Sequence, residues 1–421
     1  MFYSIAFGIE SSREEPDEKM KEELRSNIWL AFNDMRVIIE TDIINMQALL
    51  ILATQVTEFM TPSLCWNLVT NACVMLQALG VTHRHIDNPL REQRSIVFWR
   101  LNIFDKAMAL TMARPPVFHH DTVSKIAMPT LEQLLPSNST GRPSLFHAHF
   151  AHQIMLLSQV MGDIWQCVYG MEASDSEAII AAKDKLESWN SNAVQILEAT
   201  TIAEKPFLAL DGIRAIDQGV ETLRFHYRFL LILLCRCHKS LRGQCTEVSQ
   251  DMLRSLENLM SNTNEQYGAL IWQLLHYPFF VFMALFGEIL VTGKTQLQTN
   301  QKSLECMEHL PAFLNQLRRR TPLAYKMESV ATRVIEQARL WLDGQGDAAQ
   351  PSGDQARSST STAPVEMTSP LKALLTPAAT TDASSAYDLG SFDIDTDGLY
   401  SWDDDFLFNG AADWFKFDEL V

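Results

Sequence analysis

Two kinds of residue in this 421-residue chain could carry chemistry. Thiols and imidazoles could hold a metal or attack a substrate, and aromatics set among carboxylates could grip a partner. Cys235-Arg236-Cys237-His238, with Cys245 near in sequence, is the densest donor group. Side chains two apart on a helix point to different sides, so Cys235 and Cys237 do not converge on one ion. Cys65 and Cys73 both fall in the apolar pattern of one helix, and His147, His149 and His152 share a face only as weak pairs. No GxSxG, HExxH, P-loop or GxGxxG spacing occurs, which are the arrangements that place a nucleophile, a zinc ion or a phosphate. No catalytic residue, cofactor or metal site is expected, and the chain is read as a non-enzyme.

The aromatic residues point elsewhere. From Asp382 to Val421, Tyr387, Phe392, Tyr400, Trp402, Phe406, Phe408, Trp414, Phe415 and Phe417 are interleaved with carboxylates. Between residues 343 and 421 there are 15 Asp and Glu against 3 Lys and Arg, a balance of −12, so only −5 of the formal −17 belongs to the body. Mutual repulsion keeps such a segment expanded and its rings available to a hydrophobic groove on a partner, the composition of an acidic activation segment. Trp402, Phe406, Phe408, Trp414 and Phe415 are the expected contacts. The body is close to neutral and lacks a basic block, so no direct nucleic-acid contact is expected from it.

The elements that must position these residues read as helices. Thr61-Pro62 opens one that runs through Trp66, Val69, Cys73 and Leu76 to Gly80, a C′ glycine. Ile213, Ile216, Val220, Leu223, Tyr227, Leu230 and Leu234 form a long apolar stripe, and Thr321-Pro322 starts a last helix ending near Leu342. Alternating β-branched runs with glycine turns are lacking, so the expected fold class is all-α, a large multi-helix bundle-like domain. The expected organisation is a helical domain over 1–343, a disordered Ser/Thr/Ala/Pro linker over 344–381 and an acidic-aromatic tail over 382–421. Seven scattered cysteines fit a reducing compartment, and the apolar stretch Ala269 to Val291, broken by Gln273, His276, Pro278 and Glu288, reads as a buried helix and not a membrane span. Arg318-Arg319-Arg320 is too short to serve as a nuclear signal and suits the carboxyl end of a helix.

The most informative stretch is 94–129, an amphipathic helix stopped by a double proline. Ile96, Trp99, Ile103, Ala107 and Leu110 recur at helical spacing, and Asn88-Pro89 supplies the start. Arg94, Phe98-Trp99, Asp105, Arg114-Pro115, Asp121 and Pro129 in that order resemble the signature of the fungal transcription-factor regulatory domain, the middle homology region of zinc binuclear cluster proteins. Leu76 to Arg84 is similar to that family's ALGLHR element, and Pro278 to Leu290 to its later apolar helix. The chain departs from the pattern with Ala113 where glycine is usual, from which no positive φ is expected at that turn, and with Met128 where leucine is usual. Arg94, Phe98, Trp99, Asp105, Arg114, Pro115 and Pro129 are expected to be structural: the aromatics in the core, the charged residues in ion pairs that fix helix ends.

The resemblance implies a nuclear transcriptional regulator, an activator, of genes for secondary metabolism. It also implies a transcription-machinery or coactivator partner for the tail, and a small-molecule effector or a partner protein acting on the helices. The family's zinc cluster needs six cysteines, as Cys-x2-Cys-x6-Cys twice, and the 421 residues contain no such array. Either that module lies upstream, or the chain acts through a DNA-bound zinc cluster protein or a homodimer. A non-DNA-binding coregulator and a nutrient-responsive regulator are the alternatives.

Overall fold

Proline marks three of the helix starts, because its fixed φ suits the first turn and no helical bond needs its missing N–H. In a computed structural model, residues 40–55, 62–82, 88–135, 144–170, 176–208, 210–257, 271–318 and 322–343 are described, with 23, 26, 27 and 30 before them. The linker and tail residues, Trp402, Phe406, Phe408, Trp414 and Phe415 among them, lie outside these. Every regular element among the described residues is helical. In order they are α1 (Ile43–Gln55), α2 (Pro62–Ala78), α3 (Asn88–Met112), α4 (His120–Val123), α5 (Leu131–Leu134), α6 (Leu145–Tyr169) and α7 (Ser176–Glu204). There follow α8 (Leu210–Cys235), α9 (Arg242–Arg254), α10 (Ile271–Thr292), α11 (Leu297–Met307), α12 (His309–Leu317) and α13 (Pro322–Leu342).

Two helices act as hubs. α6 packs on α3, α5, α7 and α8, while α10 packs on α9, α11, α12 and α13. α8 touches both hubs, and residues 229–235 along it are all buried. The junction is aromatic: Phe229 of α8 stacks on Tyr277 of α10 at 3.6 Å between centroids and 4° between planes, with Phe225 and Phe280 around the pair. Such stacking adds about 1 kcal/mol to the burial of each ring. The helical stretch Leu274–Leu317 is long and apolar enough to cross a membrane by length and composition. Its side chains here fill protein instead, with Leu275, Val281, Phe282, Phe286 and Ile289 shielded from solvent.

Two helix ends use the left-handed region. Gly80 (φ 76) closes α2, with its N–H bonded to Gln77 O at 2.9 Å and Val81 N–H to Leu76 O at 3.4 Å, the paired bonds of a Schellman cap. α3 ends the same way, but with alanine. Ala113 has φ 51, and Arg114 N–H reaches back to Ala109 O at 3.1 Å. This corrects the expectation that alanine here removes the positive φ: the cap is kept and the alanine is strained. The next residues are Arg114 and two prolines, which cannot continue the helix, so the chain must turn at 113 whatever stands there. Left-handed backbone costs a non-glycine residue about 1–2 kcal/mol, offset in part by the greater freedom glycine gains when unfolded. Ala113→Gly is therefore expected to stabilise the protein by about 0.5–1 kcal/mol, read as a higher urea midpoint at unchanged slope. Ala113 is exposed, so no packing is lost; a lower midpoint would mean the turn is not left-handed.

Candidate functional site

The signature residues converge on one task. α3 carries Ser95, Trp99, Asn102 and Lys106 at i, i+4, i+7 and i+11, one helical face, with Asp105 at its edge. Against this face lies the segment 113–129, which holds only the single turn α4 as regular structure. Ser95 Oγ and Trp99 Nε1 both donate to Ala127 O, at 2.8 and 2.9 Å. Asp105 accepts from Val117 N–H at 2.8 Å through Oδ1, and from Phe118 N–H at 3.0 Å through Oδ2. Lys106 Nζ donates to Asp105 Oδ2 at 3.0 Å and to Phe118 O. Phe118 seals the segment, its ring 4.7 Å from that of Phe98, which meets Trp99 edge-on. On the other side Asn102 Nδ2 donates to Ser158 Oγ of α6 at 2.8 Å. The cluster is a clasp that fastens the Pro-Pro segment to the central helix.

The clasp is built for holding, not for reaction. Asp105 and Lys106 are 5% and 3% exposed, and the carboxylate oxygens already accept three donors. A general base needs a path for substrate, and this buried carboxylate has none. The remaining signature residues serve helix ends. Arg94 Nη1 donates to Leu79 O at 2.5 Å, capping α2, and the Arg114 guanidinium lies 4.5 Å from the centre of the Trp66 ring. Of the charged signature residues, Asp105 pairs with its neighbour Lys106 within the helix and not at its end, while Arg94 reaches a carbonyl and Arg114 a ring. Phe98 and Trp99 are buried, as is Pro129; Pro115 and Asp121 are exposed, and Met128 packs part-buried on the core. The single apolar stripe read for α3 is too narrow. From Asp105 to Met112 every side chain is buried, because α2, α6 and the clasped segment enclose the helix.

Lys106, Asn102 and Ser95 were missed by sequence reasoning. A signal existed for the first: two adjacent charges inside a run such as Ile103-Phe104-Asp105-Lys106-Ala107-Met108 must pair if both are buried.

Titratable groups elsewhere are shifted by burial toward inert forms. Burial pushes the Cys235 and Cys245 thiols up to about 11 and about 12, and Cys73 well above its ordinary value. Thiols so shifted are poor nucleophiles. Cys237 Sγ donates to Leu233 O at 3.3 Å and Cys245 Sγ to Ile232 O at 3.9 Å, so the two point into backbone carbonyls. All seven cysteines are free, and no group of three His, Cys, Asp or Glu among the described residues is placed to hold a metal. His152 is lowered by burial and by His149. An open groove lies between α7 and α8, walled by Trp189, Ala193, Leu197, Val220 and Leu223, with Asn190, Glu198 and Arg224 also lining it. Its Trp189 indole is already engaged, donating to Gln153 O at 3.1 Å. The groove offers an apolar surface and no convergent acid, base and nucleophile.

The diagnostic residues of this all-helical body hold its own architecture together. Residues 3–199, a little under half of the chain, match the fungal specific transcription factor domain. A transcriptional regulator of Claviceps purpurea (strain 20.1) is 42% identical over 354 residues, 82% of this chain and 57% of the relative. Two uncharacterized transcriptional regulatory proteins of Schizosaccharomyces pombe are 21% and 23% identical, over 80% and 81% of this chain and 56% and 60% of their own lengths. The chain thus spans little more than half of these relatives. No solved structure matches. The domain match stops at residue 199, inside α7, whereas the packing does not: α8 lies against both α6 and α7 and carries the core onward to α13.

Proposed function

We propose that the chain is a nuclear transcriptional activator in which residues 1–343 form the regulatory body, 344–381 a linker and 382–421 the activating segment. The observation that carries this reading is the pairing of the family's regulatory domain with a separate segment of nine aromatics among eleven carboxylates and one lysine. Trp402, Phe406, Phe408, Trp414 and Phe415 are the side chains that enter a coactivator's hydrophobic groove. Hydrophobic anchors supply the affinity, and the carboxylates keep the segment soluble and extended until it docks. DNA is reached through a zinc cluster protein or through a module outside these residues. On family resemblance we assign its targets to a secondary-metabolite gene cluster. The named relatives support regulation of transcription and say nothing finer.

Fusing residues 382–421 to an unrelated DNA-binding domain is expected to drive a reporter at least about tenfold above the domain alone. Replacing Trp402, Phe406, Phe408, Trp414 and Phe415 by Ala should return it to background, since each lost anchor costs about 1–2 kcal/mol of coactivator binding. An expressed fusion without reporter output would overturn the activator reading, leaving the coregulator reading in place.

A further inference from the structure

We draw no further inference here: the strongest candidate, the exposed apolar patch of Val291, Leu297, Leu340 and Trp341 where α10, α11 and α13 meet, is flanked by helix ends of both polarities and by Lys294, and nothing in the structure shows what covers it.

Discussion

Asp105→Ala is expected to destabilise the body by about 3–5 kcal/mol, the largest effect of any single polar substitution in the clasp. The change strands the Lys106 ammonium, 3% exposed, without its counter-charge, and a buried charge left alone costs that much. It also orphans the N–H groups of Val117 and Phe118, which Asp105 holds at 2.8 and 3.0 Å. Against a total stability of about 5–15 kcal/mol for a domain, this is a fifth at the least. Asp105→Leu combined with Lys106→Met separates the two terms. If charge pairing were the whole role, the double variant would recover the wild-type urea midpoint, since apolar replacement of a buried pair is often neutral. The clasp geometry instead predicts partial recovery, with about 2 kcal/mol still missing for the two unpaired N–H groups. A loss below about 1 kcal/mol for Asp105→Ala would mean the segment 113–129 is held by its apolar contacts alone.

The second large effect is on acid stability. His276 sits in α10, and burial lowers its imidazole from 6.5 to about 4. An unfolded chain binds a proton at this ring near pH 6.5, whereas the folded one waits until about 4. Between those values the unfolded state holds more protons, so stability is fully present above pH 6.5 and falls as pH drops toward 4. The full gap corresponds to roughly 3 kcal/mol, and the side chain is only part-buried, so about 2 kcal/mol is expected. His276→Leu should flatten the stability–pH curve over that interval while leaving its shape above pH 7 unchanged. If the two curves run parallel from pH 7 to 4, acid sensitivity comes from other groups.

Both effects arise from residues whose neighbours are distant in sequence, and this separates what was legible from what was not. Helix starts at Pro62, Asn88-Pro89 and Pro322 were legible because proline acts within one turn of itself. The left-handed stop at Gly80 was legible for the same local reason. The apolar stripe of α8 was legible because a 3.6-residue period needs no partner to be seen. The stop before Arg114-Pro115-Pro116 was legible, but the left-handed backbone at Ala113 was not, since alanine carries no sign of positive φ; the turn forced there and the bond from Arg114 to Ala109 set it. Lys106 was passed over because lysine on a helix is usually solvated, and nothing local says that the carbonyl of Phe118, twelve residues on, will meet it.

By itself, then, the sequence determined an all-helical body and a compositionally separate acidic segment, since periodicity, breakers and charge are properties of short windows. The tertiary structure alone decided that α3 would be enclosed from Asp105 to Met112, and that its signature residues would hold a segment. Burial depends on which helices arrive at a face, and contacts between residues 12 to 60 positions apart are set by packing that no window of sequence contains.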